Sequence, residues 1–94
     1  MSRKIALVTG AQRSENFARA RILAQQGLHV IVAAPEWSRA VDAALRLQLE
    51  GLSVEALHLE RRDADALDAA RRQIINLHGR LDVVVDDAEP ALAH

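Results

Sequence analysis

Residues 9–20 read TGAQRSENFARA and follow directly on the apolar run KIALV. A strand that turns at a glycine into a helix aims backbone N–H groups and the positive end of the helix dipole at one point, an arrangement that binds phosphate. Gly10 suits the turn, and Arg13 adds a positive charge. Ser14, Glu15 and Asn16 then place side chains where a phosphate loop needs room. Ser14 can act as an N-cap, which starts the helix without making a cradle. Asn16 tolerates unusual backbone angles but still occupies volume. The Glu15 carboxylate competes with phosphate for the same dipole end. At an effective dielectric of about 20, like unit charges about 4 Å apart repel by about 4 kcal/mol before screening.

Other residues offer different chemistry. Glu15, Glu36, Glu60, Asp63, Asp86, Asp87 and Glu89 fall after apolar runs, with Arg13, Arg61 and Arg62 among them. Oxygen ligands collected there suit Mg²⁺ or Ca²⁺. Exposed loop carboxylates also cap helices and keep a surface polar, and that is the simpler reading. Asp86 and Asp87 raise an acid/base role, although adjacent residues at a strand end point apart. His29, His58, His78 and His94 are expected at opposite ends of the fold without zinc-ligand spacing, so no metal site is expected. His78, near a helix C-terminus, is explained by the dipole. Trp37 is expected to pack beside a helix or at an interface, with cover of an adenine-like ring as the alternative.

The elements that position these residues follow from periodicity. Residues 4–9 (KIALVT) and 29–34 (HVIVAA) are continuous apolar strands, 53–59 (SVEALHL) alternates, and 81–85 (LDVVV) is short and β-branched. Between them, residues 15–26, 36–50 and 64–78 repeat near 3.6, as helices do. Strands alternating with helices of this length predict βαβ units and a parallel sheet. Pro35 suits the first turn of the second helix and Asp63 the cap of the third. Val41, Ala44, Leu45 and Leu49 are expected to face the core from the second helix, and Leu67, Ala70, Ile74 and Leu77 from the third.

Composition narrows the partners. The 94 residues suit a single domain spanning 1–94. Half of them are apolar, yet only Phe17 and Trp37 are aromatic, a poor basis for stacking single-stranded nucleic acid. The formal net charge is -1 with no basic stripe, so neither nucleic acid nor membrane is expected as a partner. Cysteine is absent, which removes disulfides and thiolate-bound metal. No apolar run approaches membrane-spanning length. A soluble cytoplasmic protein is expected.

Four stretches together carry a resemblance: KIALVTGA followed by Ala18, Ala20, Leu23, Ala24 and Gly27, then HVIVAA, DADALDAARRQI and GRLDVVVDDAE. In order and spacing, residues 3–92 resemble the N-terminal half of a short-chain dehydrogenase/reductase, a Rossmann-fold family. The resemblance implies a three-layer α/β half-domain with a parallel four-stranded sheet in the order 3-2-1-4. The first two helices are then expected on one face and the third on the other. It also implies an NAD(P) site with a TGxxxGxG loop, whose glycines fall here at Gly10, Ser14 and Asn16, so one of three is kept. The family's adenine-contacting aspartate is matched by Glu60, its Asn-Asn-Ala-Gly run by Asp86, Asp87, Ala88 and Glu89, and its cofactor-selecting position by Pro35. The implied cofactor positions, in vestigial form, are Gly10, Arg13, Ser14, Asn16, Glu60, Asp86 and Ala88.

The family's catalytic serine, tyrosine and lysine belong to the following half of the fold. This chain has no tyrosine, and its single lysine is Lys4, so no catalytic residue and no enzymatic activity are expected. An intact core pattern beside altered loops suggests an engineered or redesigned half-domain that self-associates as a homodimer and holds no cofactor. Two alternatives stand beside that reading: a weak NAD, NADP or nucleotide-binding module, and divalent-cation binding at the acidic strand-end rim.

Overall fold

The computed structural model of the chain describes residues 3–60 and 63–86. Arg61, Arg62, Asp87, Ala88, Glu89 and His94 therefore lie outside the described residues. The elements are β1 (Ile5–Val8), α1 (Ser14–Gln25), β2 (His29–Ala34), α2 (Trp37–Gln48), β3 (Val54–His58), α3 (Ala64–His78) and β4 (Val83–Val85). All strand pairs are parallel, and the sheet order is β3-β2-β1-β4, as expected. β2 lies between two neighbours, and Val30–Ala34 are buried, which is why that run is apolar without alternation.

Strand parity sorts the core into two layers. Ala6, Val8, Val30, Val32 and Val54 pack with Ala20 and Ala24 of α1 and with Ala43, Ala44 and Leu47 of α2. Ile5, Leu7, Ile31, Ala33 and Leu59 pack with Ala70 and Ile74 of α3. Two helices thus cover one face and the third covers the other.

Some expected core positions are outside. Leu45 is 52 % exposed, Leu49 87 % and Leu77 69 %. The residues that α2 buries are Ala40, Ala43, Ala44 and Leu47. At about 100° per residue, Leu49 lies opposite that strip and Leu45 well around from it. Small residues let the helix approach the sheet closely, so alanines take the places expected for leucines. In α3 the inward row runs Ala70, Ile74, His78, which turns Leu77 outward in the last turn.

Two caps also differ from expectation. Arg13 is the N-cap of α1, with no side-chain capping bond, and Ser14 is already helical. The reason is the tight turn in which the Arg13 N–H donates to the Gly10 carbonyl at 3.0 Å, starting the helix one residue early. Pro35 precedes α2, whose N-cap is Glu36. Its carbonyl instead accepts from His58 Nε2 at 2.9 Å, tying this loop to the end of β3. Asp63 caps α3 as expected, Oδ1 accepting from the Ala66 N–H at 2.8 Å. Among the described residues, no helix is long and apolar enough to cross a membrane.

Candidate functional site

The loop after β1 is fixed from both sides. The Thr9 N–H donates to the Val85 carbonyl at 2.9 Å, and the Ala11 N–H donates to the Ala33 carbonyl at 2.9 Å. Thr9 Oγ1 donates to Asp86 Oδ1 at 3.0 Å, which joins the carboxyl ends of β1 and β4. Between these ties the chain turns at Gly10, where φ is 60°. That angle is in the left-handed region, so glycine relieves a steric cost there. The result aims the start of α1 across the carboxyl ends of β1 and β2, where ligands bind in open α/β sheets.

The three residues that break the glycine pattern behave differently from one another. Asn16 is 2 % exposed, and its Nδ2 donates to the Gly10 carbonyl at 3.3 Å. Its side chain lies beneath the loop and does not line the cleft. In a glycine loop of this kind the third glycine serves close helix–strand packing, and Asn16 is buried at that position. Glu15 is exposed and lies 3.7 Å from Arg19 one turn along α1, so solvent and a partner both moderate its charge. Ser14 alone of the three lines the cleft.

That cleft has a volume of about 390 Å³ and lies between the starts of α1 and α2. Ala11, Phe17 and Ala43 make it apolar, while Ser38, Arg39 and Arg46 bring donors and positive charge. Arg39 Nε donates to Glu36 at 2.9 Å, and Arg46 Nε stands 3.0 Å from Asp42. Both pairs are largely solvent-exposed, so either guanidinium can reorient towards an anion at little cost. Trp37, 54 % exposed, opens α2 beside this rim. Arg39 and Arg46 were missed in the sequence because they read as ordinary helix-surface cations. The signal was their spacing: 39, 42, 43 and 46 share one helical stripe, which a second helix on the same sheet face must meet.

The other strand-end positions do not converge on the cleft. Glu60 is exposed, and neither it nor Asp86 lines the cavity. Asp86 holds Thr9, Asp63 caps α3, Glu36 holds Arg39 and Glu15 faces Arg19. These rim carboxylates have structural partners, and no three of them form a ligand set among the described residues.

The amino ends of the strands carry an unexpected grouping. His29 and His78 were expected apart, but their ring centroids are 5.2 Å apart. Glu55 lies between them, with Oε1 2.6 Å from His29 Nε2 and 3.0 Å from His78 Nε2. Parity puts His29 and Glu55 on the α3 face of adjacent strands, and α3 returns antiparallel to them to deliver His78. Nearby, Asp82 Oδ2 accepts from the Ile5 N–H at 2.9 Å and from Arg80 Nε at 2.8 Å. The Arg80 contact first, and the Ile5 N–H second, hold the Asp82 carboxyl below its ordinary range. On the other face, the Arg21 hydrogen bonds lower Glu50 in the same direction.

The short chain dehydrogenase family matches residues 4–89. Dehydrogenase/reductase SDR family member 4 of Homo sapiens is 35 % identical over 88 residues, covering 94 % of this chain and 32 % of that protein. Among solved structures, a metagenomic short-chain oxidoreductase in complex with NADP superposes with a TM-score of 0.79 at 28 % identity, covering 89 % of this chain and 38 % of that one. The actinorhodin polyketide ketoreductase with NADPH superposes with a TM-score of 0.81 at 26 % identity, covering 94 % and 35 %. The chain thus spans about a third of the length of the proteins it matches.

Proposed function

The chain belongs to the short-chain dehydrogenase family, and from that premise we propose that it is a weak dinucleotide-binding unit of an NAD(P)-dependent oxidoreductase fold, favouring NADP(H) over NAD(H). The observation that carries this reading is the cleft at the start of α1, where Arg39 and Arg46 face Ser14 and Gln12. A carboxylate at the end of the second strand hydrogen-bonds the ribose 2′-hydroxyl of NAD and repels a 2′-phosphate. Pro35 has no such group; the neighbouring Glu36 is held by Arg39 in an exposed pair, and Arg39 offers the charge that a 2′-phosphate needs once that pair reorients. Two structural relatives carry NADP and NADPH. Ser14 on the cleft wall, in place of glycine, keeps the affinity low.

Binding here is separate from turnover. The chain contains no tyrosine, and Lys4 precedes β1 at the end of the sheet away from the cleft. These residues hold a dinucleotide and do not by themselves transfer hydride. Titration with NADP⁺, NAD⁺ and adenosine 2′,5′-bisphosphate, followed by Trp37 emission and calorimetry, tests the reading. A dissociation constant of about 1 mM for NADP⁺ is expected, with NAD⁺ weaker by about fivefold or more. Equal affinities would sink the preference, and no response up to about 10 mM would sink the site.

A second reading rests on β4. Val83, Val84 and Val85 are each half-buried at a sheet edge that carries neither lysine nor proline. Such an edge favours pairing with another chain, and a homodimer is proposed on that ground.

A further inference from the structure

We propose that His29, Glu55 and His78 form a binding site for a divalent transition-metal ion such as Zn²⁺, at the end of the sheet opposite the nucleotide cleft. One ligand atom from each of the three residues lies within 4.8 Å of the others. All three residues are partly buried, and they come from three different elements, β2, β3 and α3. Two imidazoles and one carboxylate are a donor set that zinc accepts, leaving a fourth position open.

The geometry favours a cation between these groups. Zinc–ligand distances of about 2.0–2.2 Å put the donor atoms of a tetrahedral set about 3.3 Å apart. Glu55 Oε1 now stands 2.6 Å from His29 Nε2 and 3.0 Å from His78 Nε2, so both contacts open slightly to admit an ion. His78 Nε2 is buried and makes no hydrogen bond, although Glu55 Oε1 lies 3.0 Å from it. A buried ring nitrogen without a hydrogen bond is costly, and coordination would satisfy it.

The surroundings supply the remaining parts. Ser53 Oγ lies 2.7 Å from His29 Nδ1. With a metal on Nε2, the Nδ1–H donates to Ser53, the outer contact that fixes the tautomer and orientation of a ligating histidine. His29, Glu55 and His78 line a cavity of about 420 Å³ together with Arg3, Ile5 and Ser53. Water fits there as the fourth ligand. Arg3 is the nearby opposing charge, and its place at the cavity border limits affinity without occupying a ligand position.

Competition of the purified chain against a chromophoric chelator for Zn²⁺ at pH about 7.5 tests the site. One ion per chain is expected, with a dissociation constant of about 10 μM or tighter. Glu55→Gln and His78→Gln should each weaken it at least about tenfold, while the double variant His58→Gln, His94→Gln should leave it unchanged. Circular dichroism checks that the variants fold. Independently of any variant, Zn²⁺ should shift the imidazole NMR signals of His29 and His78 and spare those of His58. Binding weaker than about 1 mM, unchanged affinity in the folded Glu55 and His78 variants, or shifts confined to His58 and His94 would each overturn the site.

Discussion

Asn16 Nδ2 donates to the Gly10 carbonyl at 3.3 Å, so the residue at the last glycine position of the TGxxxGxG pattern is a brace beneath the loop after β1. Placing glycine at positions 14 and 16 should therefore have different effects. Asn16→Gly removes a buried hydrogen bond and adds helix flexibility, for a loss of about 1–2 kcal/mol in urea unfolding. It should give no gain in NADP⁺ affinity. Ser14→Gly clears the cleft wall and should tighten NADP⁺ by about threefold to tenfold. The reverse ranking in calorimetry would show that the Asn16 side chain leaves its inward position when ligand is present.

Arg39 should matter for the ligand and hardly at all for the fold. Its ion pair with Glu36 is exposed at 61 % and 67 %, a class of contact that adds little stability. Arg39→Ala should move the urea midpoint by less than the equivalent of about 0.5 kcal/mol. Loss of a charged hydrogen bond to a 2′-phosphate should cost NADP⁺ about tenfold in affinity and leave NAD⁺ within about twofold. An equal loss for both cofactors would place Arg39 on a shared part of the dinucleotide.

The alternation of strands and helices was readable because every level of the sequence agreed with it. After His29, HVIVAA is apolar at every position because β2 is covered on both faces, and Asp63 caps α3 where the turn chemistry asks for a cap. The register of the helices was harder. Leu45 and Leu49 look like core residues in a one-dimensional pattern, but Ala40, Ala43, Ala44 and Leu47 form an equally valid stripe that brings α2 closer to the sheet. Only packing distinguishes the two. His29, Glu55 and His78 were hidden for a different reason: 26 residues separate the first two, and β2–β3 adjacency is needed to bring them together. Once the order 3-2-1-4 is set, strand parity puts both on the α3 face. The cleft arginines needed the same step, from topology to proximity.

Asp82 should shape the acid limb of the stability curve. Its carboxyl titrates below the ordinary 3.8 because Arg80, and then the Ile5 N–H, stabilise the ionised form. A lowered folded pKa means that the contribution is fully present above the ordinary carboxylate range and is lost as pH falls through the folded value. Urea midpoints of the unsubstituted chain and of Asp82→Asn should therefore differ at neutral pH and converge as pH falls below about 4. A gap that persists unchanged below about pH 2 would mean that the carboxylate's charge is not what stabilises the start of β1.

The edge at β4 makes a prediction about concentration. β4 pairs with β1 on one side and, among the described residues, with no strand on the other. Val83 and Val85 pack towards the α1 and α2 layer and Val84 towards α3. Three β-branched residues at an edge that no described strand pairs present backbone donors and acceptors together with apolar surface, which is what strand addition uses. Sedimentation from about 5 to 200 μM should show the average mass rising from 10.3 kDa towards twice that value. Val84→Lys puts a charge at the centre of the strand and should return the chain to a monomer, with helical circular dichroism retained. If Val84→Lys stays folded and still dimerises, the contact lies elsewhere; the outward Leu49 and Leu77, 87 % and 69 % exposed, are then the next apolar positions to change. A single 10.3 kDa species across the whole range would reject the homodimer, and β4 would then be an edge that three short residues leave too brief to recruit a partner.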